Sequence, residues 1–192
     1  MHSLFSMFEI SVEAVADDRL KLIHRPDVSL SEEEDQRLRR LLFGCFPHEP
    51  AFLSRRFLRQ CPAHRWLVLD PAGEIVAHLA VLEKWIGTER DDLKIGGVAE
   101  VCVAAAYRRH RQAARLMRAA HDWMRGNGFE FAMLFGQPGI YQSSGYALIE
   151  NEIAATNSLA RHWNPFCGKP MIHHLSDKPW PEGRIDLRGP TF

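Results

Sequence analysis

A cluster of cationic residues lies directly after an apolar strand, and side chains of this type in this place can bind an anion. Residues 98–103 are mostly apolar and lead into Arg108, Arg109, His110 and Arg111, with a helix predicted over residues 113–125. The first helical turn leaves backbone N–H groups without partners and carries partial positive charge, so a phosphate or pyrophosphate fits against it. The alternative is a solvated basic helix start. We favour the anion site, because ligands of open α/β sheets bind at strand ends.

A tyrosine farther along the chain is a candidate proton donor. Tyr141 follows a second predicted strand, residues 129–135, and lies shortly before Gly145. The two strands and the helix between them form one βαβ unit, whose right-handed crossover makes the strands parallel. This unit would join the anion site to the phenol. The alternative role for Tyr141 is that of a half-buried packing residue, which is common for tyrosine.

Glu100 is the first candidate for a general base. It lies among three valines in the strand that precedes the basic loop, where burial could raise the pKa of its carboxyl group. The alternatives are that Glu100 pairs with an arginine or faces solvent. Glu83 and His78, on the neighbouring predicted strand, are weaker candidates, because a lone histidine in a strand is more often structural.

Other reactive side chains point to less probable chemistry. Cys102 lies on the same strand as Glu100, where a covalent acyl-cysteine is conceivable but a buried, inert thiol is favoured. His173 and His174 are adjacent in a predicted strand and would point to opposite faces of the sheet. No set of residues has the spacing of a metal site, so we expect no metal.

The remaining sequence predicts an α/β (α+β) fold in a single domain over residues 1–192, with a core at about residues 8–176 and an irregular tail at residues 177–192. Ser31 and Glu34 have capping-box spacing at the start of a helix, and a shorter helix is expected over residues 51–59. We expect a mixed sheet of about six or seven strands flanked by helices, with strands 94–103 and 129–135 parallel and splayed apart at one end. Residues 8–15 and 20–24 are candidates for the first strands, and the other expected strands are at residues 66–69, 74–85, 146–154 and 171–175.

The chain over roughly residues 64–154 resembles the GNAT superfamily of acyl-CoA N-acyltransferases. Val103, Tyr107, Arg108 and Ala113 match that family's strand and phosphate loop in register, and residues 135–146 look like its aromatic signature. Arg111 departs from the pattern, because it stands where the family has a glycine that lets the backbone approach the pyrophosphate.

The resemblance implies an acyltransferase that moves an acyl group, most often acetyl, from acyl-CoA to an amine by direct attack, without a metal. It implies that Tyr141 protonates the departing thiolate and that backbone N–H groups near Val101 to Val103 stabilise the oxyanion. Glu100 is the candidate base for this reaction because of its place in the strand. The residues expected to bind acetyl-CoA or another acyl-CoA are Val101, Cys102, Val103, Arg108, Arg109, His110, Arg111, Gln112, Ala113 and Ala114.

A narrower resemblance links residues 76–86 and the C-terminal Trp180-Pro181-Glu182-Gly183 to the nodulation acyltransferase family NodA. It implies a second hypothesis, the transfer of a longer fatty acyl chain from acyl carrier protein to a sugar amine. That activity needs a hydrophobic groove beside the thioester and a basic patch for the carrier. A third hypothesis is a non-catalytic acyl-CoA-binding domain, which Arg111 favours and Tyr141 disfavours.

Composition narrows the class of partner. Lys plus Arg and Asp plus Glu are 24 each in 192 residues, so no overall charge favours nucleic acid or a membrane surface. No stretch has the apolar length of a membrane span. The first residues lack the cationic and apolar regions of a signal peptide, so we expect none, and the scattered cysteines favour a reduced, cytoplasmic protein. The expected partner is a small-molecule, sugar or peptide amine.

The tail could cover a second subunit of a homodimer or the protein's own acceptor site.

Overall fold

The computed structural model describes residues 19–155 and 169–192, and the strands within them form one mixed sheet. The main path of the sheet runs β1-β2-β3-β4-β5-β8-β6, while β9 joins the end of β3 to β7. All neighbours on the main path are antiparallel except β4 and β5, which are parallel as predicted. The strands are β1 (Lys21–Pro26), β2 (His64–Leu69), β3 (Ile75–Gly87), β4 (Asp92–Val103), β5 (Phe131–Gly136), β6 (Ala147–Leu148), β7 (Ile153–Ala154), β8 (Lys169–His174) and β9 (Ile185–Asp186).

Helices cover both faces of this sheet. They are α1 (Glu32–Cys45), α2 (Gln112–Gly126) and the single turn α3 (Pro138–Tyr141). The predicted capping box starts α1: the hydroxyl of Ser31 accepts the N–H of Glu34 at 3.2 Å, and the carboxylate of Glu34 accepts the N–H of Ser31 at 2.9 Å. These two bonds satisfy backbone donors that the first turn of a helix leaves free.

The alternation of side chains along β2 separates two cores. Trp66 and Val68 pack with the apolar stripe of α2, whereas Leu67 packs with the stripe of α1. Because successive residues of a strand point to opposite faces, α1 and α2 lie on opposite sides of the sheet. A site between β4 and β5 is therefore bounded by α2 on one face and by the α1 layer on the other.

Two predicted elements differ from the structure, and a third is outside the described residues. The predicted helix over residues 51–59 is wrong: only a 3₁₀ turn forms, at Pro50–Leu53. The backbone beyond it bonds elsewhere, since the N–H of Leu58 donates to Glu100 and the carbonyl of Arg56 accepts from Arg65. The strand predicted over residues 146–154 is two short strands, β6 and β7. The strand predicted at residues 8–15 lies outside the described part of the chain.

The predicted irregular tail contains one short strand, β9, and packs onto the sheet. Ile185 and Leu187 are buried, and Asp186 pairs with Gly87 at the end of β3. Farther along, the side chain of Arg188 forms a two-pronged ion pair with Asp92 at the start of β4. These contacts bring the last residues of the chain back to the middle of β4.

Candidate active site

The parallel strands β4 and β5 separate halfway along their length. They pair only from Ile95 opposite Phe131 to Gly97 opposite Met133. Beyond this point β4 continues beside β3 alone, and β5 continues beside β8 alone. The gap opens toward the carboxyl ends of both strands, which is the end where parallel sheets bind ligands.

A β-bulge at Glu100 directs its side chain into this gap. On β4 the pairing with β3 passes from Ala99 opposite Ala80 to Cys102 opposite His78, so the two β4 residues between them oppose one residue of β3. Glu100 has φ +53°, a left-handed conformation that non-glycine residues rarely adopt. The bulge changes the alternation of β4: Val98 and Val101 pack on the same α2 face despite their odd spacing. Glu100 is thereby turned toward the α1 side.

The carboxyl group of Glu100 is buried and only half satisfied. Its Oε1 accepts the backbone N–H of Leu58 at 2.8 Å, while its Oε2 has no hydrogen-bond partner and lies 3.6 Å from Nη1 of Arg65. Burial raises the pKa of Glu100 to about 7, with Arg65 opposing the shift. A carboxyl group with a pKa near neutrality suits general base catalysis, because it is both deprotonated and proton-accepting at neutral pH.

Arg65 is a fully buried guanidinium whose hydrogen bonds go to groups other than Glu100. It donates to Oδ1 of Asp27 at 2.5 Å, to Nε2 of His78 at 2.9 Å and to the carbonyl of Arg56 at 2.8 Å. Since an arginine only donates, Nε2 of His78 accepts, and its Nδ1–H donates to the carbonyl of Glu100 at 2.9 Å. Burial and Arg65 lower the pKa of His78 well below its usual range. His78 is therefore a neutral structural residue that holds the bulge, and not a base.

Tyr141 comes from the other strand of the gap. It ends α3, which follows β5 directly, and its ring lies against Gly136 at the end of β5: a Cβ on Gly136 would be 2.4 Å from the Tyr141 ring. A side chain at position 136 would therefore displace the ring. Burial, followed by the proximity of Cys102, raises the pKa of the Tyr141 phenol. The phenol thus keeps its proton at neutral pH, as a general acid must.

Glu100 and Tyr141 line the same cavity, of about 450 Å³, on the α1 side of the gap. Val101 and Phe135 contribute from the two strands, and Phe192 closes the cavity from the tail. The Phe192 ring lies over Gly97, whose added Cβ would be 3.0 Å from it. In this chain, Phe192 of the tail thus lies over the protein's own cavity. A larger cavity of about 780 Å³, beside Trp180, contains none of the predicted site residues.

The basic loop forms the start of α2, beyond the end of β4, and does not line that cavity. Arg109 and Arg111 have φ of 68° and 54°, and Arg111 is the residue before the first turn of α2. A glycine takes this left-handed backbone conformation without steric cost. This explains why the family pattern described above has a glycine at the position that Arg111 occupies. Arg108 donates to the carbonyl of Val103 at 3.1 Å, while Arg109, His110 and Arg111 are exposed. Ala113 and Ala114 are exposed in the first turn, whereas Gln112 is buried.

The remaining candidates are not placed for catalysis in this cavity. Cys102 is buried on the α1 face, and its hydrogen bond with Cys45, together with burial, raises the pKa of its thiol well above the usual range. Glu83 pairs with His64 and Lys94 outside the cavity. Within residues 19–155 and 169–192, no group of three or more His, Cys, Asp or Glu side chains could hold a metal ion. None of the helices in the same ranges could span a membrane.

A family profile described as an acetyltransferase (GNAT) domain matches residues 28–149 of this sequence. The chain belongs to the GNAT acetyltransferase family. The match includes the bulged strand, the basic loop, α2, β5 and Tyr141. No curated protein sequence matches the chain.

Solved structures share the GNAT fold at low sequence identity. The GNAT family N-acetyltransferase YhbS of Escherichia coli, crystallised with CoA, has a TM-score of 0.63 at 16% identity and covers 90% of this chain and 93% of its own. An acyl-CoA N-acyltransferase of Pseudomonas aeruginosa has a TM-score of 0.57 at 14% identity, covering 80% and 99%. For a probable N-acyltransferase of Enterococcus faecalis the values are 0.54 and 13%, covering 66% and 32%, so this chain spans about a third of that longer protein.

Sequence reasoning missed the groups that set the environment of Glu100 in this GNAT domain. Arg65 and Asp27 are 38 positions apart and meet only in the folded chain. One local signal was available: Arg65 directly precedes the apolar run Trp66 to Leu69, and an arginine buried with that run requires a buried anion. Nothing near Phe192 marks it as part of a cavity.

Proposed function

We propose that this GNAT protein transfers an acyl group, in the simplest case acetyl, from acyl-CoA to a primary amine by direct attack. The observation that carries the proposal is the meeting of Glu100 and Tyr141 on one cavity at the split parallel pair. One group has a pKa suited to accepting a proton and the other keeps a proton to donate. Membership of the GNAT family supports the same chemistry.

The start of α2 fits the pyrophosphate of CoA. The first-turn N–H groups have no intrahelical partners, and the left-handed backbone at Arg109 and Arg111 is of the kind that gathers N–H groups around an anion. The exposed arginine side chains add positive charge. The predicted ligand set thus runs from Val101 through Cys102 and Val103 along the thioester, and over the loop residues Arg108, Arg109, His110, Arg111, Gln112, Ala113 and Ala114 at the pyrophosphate.

The reaction needs two proton movements, and the cavity offers a residue for each. Oε2 of Glu100, which lacks a hydrogen bond, takes a proton from the amine as its nitrogen bonds to the thioester carbon. Backbone N–H groups of the bulged segment between Val101 and Val103 stabilise the oxyanion. When the carbon–sulfur bond breaks, Tyr141 protonates the thiolate. The products are the amide and CoA with a free thiol.

The proposal predicts a specific role for the Tyr141 hydroxyl. Tyr141→Phe keeps the ring against Gly136, so we expect kcat to fall by about 10²–10⁴-fold with CoA affinity unchanged, because the proton is needed only in the transition state. Thiol release from acetyl-CoA measures the rate, and calorimetry measures CoA binding. Tyr107→Phe is the matched control, since the Tyr107 hydroxyl bonds Asp70 at 3.2 Å, away from the cavity. A Tyr141→Phe rate within about twofold of the parent would assign the proton to another donor.

A longer acyl chain on acyl carrier protein is the second candidate. It is favoured by the exposed arginines Arg109, Arg111 and Arg118, which suit an acidic carrier, and by the apolar walls of the cavity. Comparing kcat/KM for acetyl-CoA, octanoyl-CoA and octanoyl carrier protein separates the two candidates. CoA binding without thiol release for any amine would instead indicate a non-catalytic acyl-CoA-binding domain.

A further inference from the structure

The cavity walls around Glu100 are mostly aromatic and aliphatic. Phe46 and Phe52 lie 5.7 Å apart between ring centroids on the α1 side, and Phe135 meets Phe192 edge-on at 5.3 Å on the side of β5 and the tail. Leu58 and Leu82 fill the space between them. Because Phe52 is fully buried, its ring is fixed in place. An acceptor that reaches Glu100 therefore passes these apolar side chains.

The charges around the cavity are unevenly arranged. Glu100 is the acidic group on the β4 wall, whereas Arg55, Arg59 and Glu49 lie toward solvent and are exposed. Arg55 is anchored there, since it donates to the carbonyl of Leu58 at 2.8 Å. Among the described residues, the rim carries two arginines and one glutamate. A second cation on the acceptor would therefore meet repulsion at the rim.

We propose that the acceptor is a primary amine on an aromatic or bulky aliphatic body, with a neutral or anionic distal end, and that polyamines and lysine-rich peptides are excluded. The inference rests on the proposed function, because the amine must sit beside Glu100 and the thioester. Apolar walls favour the body of such an amine through burial of its surface. The arginines at the rim discriminate against extended cations by placing like charge next to them.

The first experiment tests the apolar wall with binding alone. Phenethylamine is titrated into the CoA-loaded protein by calorimetry, with spermidine as the competing probe. Phe192→Ala removes one wall of the cavity, so we expect phenethylamine affinity to fall by about tenfold or more, which corresponds to roughly 1.4 kcal/mol or more. Trp85→Ala is the matched control, because Trp85 is an exposed aromatic residue outside the cavity. It should leave the affinity within about twofold. Tighter binding of spermidine than of phenethylamine, or an unchanged Phe192→Ala affinity, would overturn the inference.

The second experiment tests the rim. Arg55→Glu with Arg59→Glu reverses its charge and should improve spermidine binding by about tenfold, while Arg90→Glu, an exposed arginine at the β3–β4 turn, should not. No gain in the double variant would overturn the role of the arginines. Failure of the parent to bind CoA would instead overturn the proposed function itself. CoA binding with thiol release for spermidine, but not for phenethylamine, would overturn only the acceptor class.

Discussion

Asp27 and Glu100 both lie beside the guanidinium of Arg65, but their pKa values shift in opposite directions. Asp27 is 2% exposed and accepts hydrogen bonds from Arg65, from Arg56 twice and from the Cys61 thiol. Burial alone would raise the pKa of Asp27, but the bonds from Arg56 and Arg65 outweigh it and hold that pKa well below its usual range. The nearest nitrogen of Arg65 is 3.6 Å from Oε2 of Glu100, so Arg65 lowers the pKa of Glu100 less than burial raises it, and that pKa is raised to about 7.

The difference shows that proximity to a cation does not decide the charge state of a buried acid. What decides it is the direction of the N–H donors, because burial disfavours the ionised form unless hydrogen bonds compensate. The donors of Arg65 are used on Asp27, His78 and the Arg56 carbonyl. Asp27 thus stays ionised and neutralises Arg65, whereas Glu100 can exchange a proton at neutral pH.

Replacing Glu100, the carboxylate proposed to accept a proton, should have the largest effect on activity. Glu100→Gln is expected to lower kcat/KM by about 10²–10⁴-fold and to abolish the limb of the pH profile that rises through about pH 7. The measurement is kcat/KM for thiol release between pH 5 and 9, with calorimetry showing unchanged CoA binding. A Gln variant that keeps the rising limb would assign the base to another group.

Glu100→Gln should also be more stable than the parent. Replacing a carboxylate that stabilises the fold would instead lower the stability. The pKa of Glu100 is higher in the folded chain, at about 7, than its ordinary 4.5. The folded chain therefore favours protonated Glu100, and this stabilises the fold fully below pH 4.5. The free energy of unfolding then falls by up to about 3 kcal/mol as pH rises through about 7. Urea unfolding of Glu100→Gln at pH 8.5 should give a higher free energy than the parent. A lower value would show that the ionised carboxylate stabilises the fold.

Removing the permanently charged member should instead destabilise the protein. Asp27→Asn leaves Arg65 without its anion, so we expect the free energy of unfolding to fall by roughly 3–5 kcal/mol. Arg65 should then attract the Glu100 carboxylate, and the rising limb of the pH profile should move below about pH 7. Asp35→Asn is the control, because Asp35 binds Arg56 at 2.9 Å without contacting Arg65. An Asp27→Asn variant with the limb in its original place would show that the two carboxylates are independent.

Combining Asp27→Asn with Glu100→Gln tests whether the two carboxylates share the guanidinium of Arg65. In Asp27→Asn, Glu100 can still compensate Arg65, but in the double variant neither carboxylate can. The loss of stability at pH 8 should therefore exceed the sum of the single effects by about 0.5–3 kcal/mol. Asp35→Asn with Glu100→Gln should be additive within about 0.5 kcal/mol. Additivity in both pairs would contradict the shared guanidinium.

The smallest effect is expected at the neutral donor to Asp27. The Cys61 thiol lies 3.2 Å from Oδ2 of Asp27, and Asp27 keeps both arginines without it. Cys61→Ala should cost no more than about 1.5 kcal/mol and leave the pH profile unchanged. A shift of that profile would mean that the balance between the two carboxylates depends on more than the arginines.

The sequence predicts the local parts of this arrangement and misses the long-range ones. The βαβ unit, the capping box of α1 and the parallel strands follow from periodicity and spacing, which nearby residues determine. Glu100 and Tyr141 could be named because one lies among apolar neighbours and the other in a motif. The bulge could not, since the residues around Glu100 read as an ordinary strand. The missing helix at residues 51–59 has the same origin: its backbone bonds to Glu100 and Arg65, which local propensity does not include.

The bulge has an evolutionary consequence. Glu100 is the extra residue on β4 and has a strained backbone, which costs of order 1–3 kcal/mol. Deleting this one codon would let Ala99 and Val101 continue in an unbroken ladder with β3, and would remove the buried acid at the same time. A single in-frame deletion would relieve the backbone strain, but it would also remove the candidate base and the hydrogen bonds that join Glu100 to Leu58 and His78. The bulge and the candidate base are therefore gained or lost together, by the insertion or deletion of one residue.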